Sequence, residues 1–149
     1  METLFNQSDC NAIVARLNKL SSNTQHRWGK MDVAQMLTHV HRALRTASGE
    51  LKLKRSFIGI LFGTIAKKKL FSNEPWGHNM PTDKNFIVTD QRNFEEEKKA
   101  LLESIHRFQQ TGPTGVSKEP HPFFGKLTSE EWGRLQWKHL NHHLEQFGE

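Results

Sequence analysis

Tyrosine is absent from this 149-residue chain, and cysteine occurs once, at Cys10. One thiol cannot close an intramolecular disulfide, so a disulfide-stapled fold is excluded and apolar packing has to hold the core. No activating pattern surrounds Cys10, which makes it a packing residue near the start of the first helix rather than a nucleophile. Long apolar runs are missing as well. The longest, FIGILFGTIA from Phe57 to Ala66, has ten residues and two glycines, well short of the roughly 20 that cross a bilayer. The opening METLFNQSDC lacks the basic and apolar regions of a secretory signal. A reducing cytoplasm is therefore the expected location, and no membrane partner is expected.

Acidic residues are in deficit, 16 against 21 Lys and Arg, for a formal charge of +5. That excess permits attraction to nucleic acid or anionic lipid without building a site for either. The densest basic positions, Lys52, Lys54, Arg55 and Lys67 to Lys69, flank the apolar run. No aromatic-basic motif accompanies them, so nucleic acid is not an expected partner. What is abundant is large rings, ten Phe and four Trp. With 149 residues these suffice for one packed domain covering 1–149.

Apolar periodicity gives an all-α chain. Ile13, Val14, Leu17 and Leu20 predict a helix from about Asp9 to Leu20, with Ser8 or Asp9 as cap. Asp32 stands as N-cap of VAQMLTHVHRALRTAS, which stops at Gly49. A shorter helix is expected within 51–70, although Gly59 and Gly63 weaken it. Residues 72–88, with two prolines, form a long irregular connection of the kind that often serves function. From Asp90 onward Phe94, Leu101, Leu102, Ile105 and Phe108 mark an amphipathic helix that ends at Gly112 and Pro113. Thr128 and Glu131 form a capping box for the last helix, about Ser129 to Phe147. No strand alternation or repeat interrupts this pattern. Four substantial helices and one shorter one argue for a bundle.

The nine histidines are unevenly spread, and WKHLNHHLEQFGE at the end holds three of them. At about 100° per residue, His143 falls about 40° from His139 and Trp132 about 20°, inside the apolar arc, whereas His142 falls about 60° away on the polar boundary. An i,i+4 histidine pair places two imidazoles one turn apart, close enough to share a metal ion. In a bundle the third ligand has to come from a facing helix. The second helix offers His39 and His41, both at the edge of its apolar stripe, and phase does not choose between them. The plain alternative is a set of buried neutral histidines bonded to carbonyls. The spacing is not H-E-x-x-H and lacks the glutamate base of that protease motif. His26, His78, His106 and His121 have no partner at ligand spacing, and His121 in HPFFG reads as a loop-shaping residue. Phe123, Phe124, Trp76 and Trp132 are core candidates first and pocket candidates second.

His139, His142, His143 and Gln146 reproduce an H-x-x-H-H-x-x-Q signature, and RWGKMDVAQMLTHV carries a matching second-helix segment. On these motifs the chain resembles the DinB-like (DinB/YfiT) superfamily of metal-dependent four-helix bundles. HPFFGKLTSEEWGRLQWKHLNHHLEQFG is similar to one branch whose function is unknown. The resemblance covers most of the chain. It implies a four-helix bundle with an additional short helix and long loops, and the metal ligands it implies are His39, His139 and His143. It further implies a divalent ion, nickel or zinc, and in some members S-transfer with a low-molecular-weight thiol onto a small-molecule substrate. Homodimers are common in the family. Many members have Arg and Gly after the last histidine, where this chain has Leu144 and Glu145; the departure leaves the metal triad intact and leaves open which thiol or substrate specificity the resemblance implies.

Three neutral imidazoles leave open positions on a divalent ion, the arrangement of catalytic rather than structural sites. Thiol transfer and hydrolysis both follow from that chemistry, and Gln146 is the candidate for orienting an imidazole from outside. A different class of function also fits: a non-catalytic helical binding module, its metal structural or absent, whose basic rim meets an acidic partner.

Overall fold

The computed structural model describes residues 1–72 and 74–149. Asn73, inside the predicted 72–88 connection, lies outside the described residues. The described residues form five α-helices: α1 Gln7–Lys19, α2 Val33–Ala47, α3 Phe57–Leu70, α4 Phe94–Thr111 and α5 Ser129–Gln146. Two 3-10 turns, Lys84–Phe86 and Gly112–Gly115, lie in the connections. Among the described residues there is no strand, only an isolated bridge between His121 and Gly125.

The helix starts follow side-chain capping. Asn6 Oδ1 accepts from the backbone N–H groups of Ser8 and Asp9, so α1 begins earlier than expected and Asn6, not Ser8 or Asp9, is its cap. Asp32 and Gln35 close a reciprocal capping box on α2, and Thr128 and Glu131 do the same on α5. Asn93 caps α4, whose first turn holds Glu95, Glu96 and Glu97 against the positive end of the helix dipole. Ser56 caps α3, which leaves 51–55 outside the helix expected there.

Packing follows the predicted stripes. Helix α2 packs on α4 and α5, and α1 packs on the same two helices. Between them lie Ile13 and Leu17 of α1, Met36, Leu37 and Leu44 of α2, Leu101 and Ile105 of α4, and Trp132, Leu140 and Leu144 of α5. Cys10 is buried in this core, and burial raises its thiol pKa, which suits a packing role.

Helix α3 is different. Its backbone at Gly59 and Gly63 lies against the 121–125 turn: a Cβ built on Gly59 would stand 2.6 Å from the Phe123 carbonyl oxygen, and one on Gly63 would meet the same oxygen more closely still. The two glycines that weaken the helix by propensity are thus the surface by which it docks. Leu70 anchors its end in the core, while Phe57, Ile58, Ile60, Leu61, Phe62 and Ile65 are exposed. No helix among the described residues is long and apolar enough to cross a membrane.

Candidate metal centre

His39 projects from the middle of α2, His139 and His143 from the last half of α5, and the two helices pack together. One ring nitrogen from each lies within 4.8 Å of those of the other two. The His39 and His139 Nε2 atoms are 2.9 Å apart, and His143 places its ring centroid 4.7 Å from His39 and 4.8 Å from His139. His39 and His143 are buried, and His139 is partly buried. His41 turns away toward α4, where its Nε2 meets Ser104 Oγ at 2.8 Å. The structure therefore brings His39, not His41, to the α5 pair.

The outer bonds fix which nitrogen is bare. His39 Nδ1 lies 2.8 Å from the Phe86 carbonyl oxygen. A carbonyl only accepts, so Nδ1 carries the hydrogen and Nε2 the lone pair. Gln146 Nε2 donates to the Trp28 carbonyl at 2.7 Å, which turns Gln146 Oε1 toward His143 Nδ1, also at 2.7 Å. His143 then donates from Nδ1 and its Nε2 is left bare. Gly29 makes room for this bond: its φ is +88°, and a Cβ there would collide with Gln146 Nε2.

Burial is the largest influence on all three rings and opposes their protonation. It lowers the His39 pKa, with the Phe86 bond acting the other way. His139 is driven well below its ordinary value by burial and then by His143 and His39. His143 is pushed down to about 3 by burial and then by His39. Neutral imidazoles are the form that binds metal.

Two bare Nε2 atoms, of His39 and His143, converge beside the His139 ring: an N–H of His139 can donate to only one of them, whereas a cation can take a lone pair from all three rings. Two nitrogens each at about 2.0–2.1 Å from one ion are about 2.9 to 3.4 Å apart at right-angled to tetrahedral geometry. The 2.9 Å between His39 and His139 falls at the short end of that range, and a ring nitrogen of His143 lies within 4.8 Å of both. The donor set and its outer bonds therefore fit a divalent ion. His142 is outside the triad; its half-buried ring packs between Trp28 and Trp76, with centroids 5.9 and 5.6 Å away.

The irregular connection after α3 supplies part of the surround. Trp76 sits 5.9 Å from the His139 ring, and His78 stacks on Trp28 with centroids 3.7 Å apart. Lys138 Nζ donates to the carbonyls of Leu70, Ser72 and Glu74 and fastens this segment onto α5. His121 accepts the backbone N–H groups of Phe123 and Phe124 on Nδ1, at 3.0 and 3.2 Å, so it shapes the HPFFG turn as its sequence suggests. Trp132 is a core residue. Leu144 belongs to the core, and the exposed Glu145 accepts from Asn141.

Sequence reasoning missed the two carbonyls, of Phe86 and Trp28, and the Trp28–His78 stack. A main-chain acceptor leaves no mark on residue type; only Gly29, beside Trp28, signals a close backbone approach.

A family model described as Protein of unknown function (DUF1569) matches residues 3–149, and the chain belongs to that family. No curated protein and no solved structure matches the chain.

Proposed function

We propose that residues 1–149 form a single DinB-like four-helix-bundle domain, built from α1, α2, α4 and α5 with α3 as the additional helix. In this reading His39, His139 and His143 hold a divalent ion, zinc or nickel, used for thiol S-transfer to, or hydrolysis of, a small electrophilic substrate. The observation that carries it is the convergence of three imidazoles, two of them locked through Nδ1 so that a bare Nε2 remains. When bound, an ion with three imidazole ligands and open positions supplies Lewis-acid chemistry that brings the pKa of a water or thiol toward neutrality.

The chain's own residues do the rest. Phe86 and Gln146 set the tautomer and tilt of two ligands. Trp76, 5.9 Å from the His139 ring, and Trp28, stacked on the exposed His78, would offer a substrate an aromatic surface beside the triad. A low-molecular-weight thiol is the co-substrate in the S-transfer form of this reading, and the cytoplasm is where such thiols are kept reduced.

Elemental analysis of untagged protein tests the site. Near one equivalent of zinc or nickel is expected, retained in His142→Ala and lost in His39→Ala, His139→Ala and His143→Ala. Full metal in the triple variant would refute the assignment. Turnover is tested separately with the loaded protein, a panel of thiols and alkylating or epoxide substrates; no product with any of them favours the non-catalytic binding module.

A further inference from the structure

Helix α3 carries a surface that the metal centre does not use. Its Gly59, Gly63 and Leu70 side faces the protein, and its other side exposes six large apolar residues, with Phe57 74% and Ile65 71% accessible. So many large apolar groups on one short helix exceed the scattered exposure ordinary for a monomer surface. Around them the charge has one sign. Between Glu50 and Glu74 the sequence has no acidic residue and six cations, Lys52, Lys54, Arg55, Lys67, Lys68 and Lys69. Lys67 pairs with Glu131 at 2.8 Å, while among the described residues no ion pair engages the other five.

We infer that α3 is an interfacial anchor that lays this protein on an anionic bilayer surface. Fourteen residues at about 1.5 Å each reach about 21 Å, too short for a hydrocarbon core of about 30 Å, so the helix lies along the boundary. Its apolar side chains enter the acyl region while the lysines at either end extend to headgroup phosphates. Charge decides against a second copy as the occupant. Cations stand at both ends of the helix, so parallel or antiparallel pairing of two α3 faces sets cation against cation, whereas anionic headgroups neutralise them. No helix among the described residues is long and apolar enough to span a membrane; the attachment inferred here is to the bilayer surface, where the sequence alone leads to the expectation of no membrane partner.

The test is co-sedimentation of the full chain with phosphatidylglycerol–phosphatidylcholine vesicles and with pure phosphatidylcholine vesicles. The expected result is binding to the anionic vesicles only, released by high salt. Lys68→Gln/Lys69→Gln should lower partitioning about 30-fold, at about fivefold per lysine. Phe62→Ser/Ile65→Ser should lower it at least about tenfold. These positions are exposed, so circular dichroism should show both variants folded; should either fail to fold, the salt and lipid dependence of the unaltered protein still decides. No binding to anionic vesicles, equal binding to neutral ones, or full binding by both folded variants each overturns the inference. A concentration-dependent dimer abolished by Phe62→Ser/Ile65→Ser, with no vesicle binding, would instead make α3 a self-association face. Metal content enters none of these readouts, so failure here is distinct from failure of the metal site.

Discussion

Gln146→Leu removes one side chain and breaks two bonds that serve different ends. In the parent, Gln146 is 4% exposed, accepts from His143 Nδ1 at 2.7 Å and donates to the Trp28 carbonyl at 2.7 Å. Leucine fills similar space and leaves the buried His143 N–H and the partly buried Trp28 C=O without partners. At about 1–3 kcal/mol per unsatisfied group, the loss is about 3 kcal/mol, and at about 2–4 °C per kcal/mol for this chain length the metal-free Tm falls by about 6–12 °C. His143 also loses the acceptor that fixes its ring, and metal affinity should drop about 10- to 100-fold. Gln146→Glu separates the two effects. A carboxylate still accepts from His143 but cannot donate to Trp28, so its metal-free Tm should fall while its metal affinity equals or exceeds the parent's. Competition titration of zinc against a chromophoric chelator gives the affinity, and calorimetry of metal-free protein gives the Tm. Zinc binding by Gln146→Leu within twofold of the parent would refute the positioning role, as would an equal loss in Gln146→Glu.

Two further predictions concern the HPFFG turn. Burial lowers the His121 pKa to about 4, and its Nδ1 is already occupied by two N–H donors. Between pH 4 and about 6.5 the unfolded chain therefore binds more protons than the native one, so this contribution is complete above pH 6.5 and declines by up to about 3 kcal/mol as pH falls toward 4. His121→Asn, whose carbonyl can accept the same N–H groups, should show a shallower loss in urea unfolding between pH 6.5 and 4.5; an unchanged slope would count against the assignment. Gly63→Ala sets propensity against packing. Alanine favours an isolated helix by about 1 kcal/mol, but here its Cβ meets the Phe123 carbonyl and should destabilise α3 docking by about 1–3 kcal/mol. Hydrogen exchange should show lost protection in α3 with α5 unchanged, and increased α3 protection would refute the docking described.

Helix positions were legible because caps and apolar stripes are local signals. Asp32, and Thr128 with Glu131, marked two starts correctly. Asn6 was missed because Ser8 and Asp9, equally good capping types, follow it within three residues. At α3, Ser56 was overlooked and the glycines were weighed as helix breakers, since propensity does not register that a backbone must approach another backbone. For the site, helical phase singled out His139 and His143 over His142, and the geometry brings those two together. The choice of His39 over His41 lay beyond phase: it depends on which edge of α2 faces α5 and which faces Ser104 on α4, a property of packing.

The distance along the chain between the facing imidazoles has a consequence for how the site comes into being. His39 and His139 are 100 positions apart, and closing so long a loop carries an entropic penalty that only the packed chain has overcome. Small zinc modules gather their ligands from neighbouring residues, so metal can nucleate their folding. Here, until α5 docks on α2, an ion would meet only the His139 and His143 pair. A chain still being synthesised has no triad until α5 has emerged and docked on α2, so occupancy of the site would report that these two helices have packed and could not begin their packing.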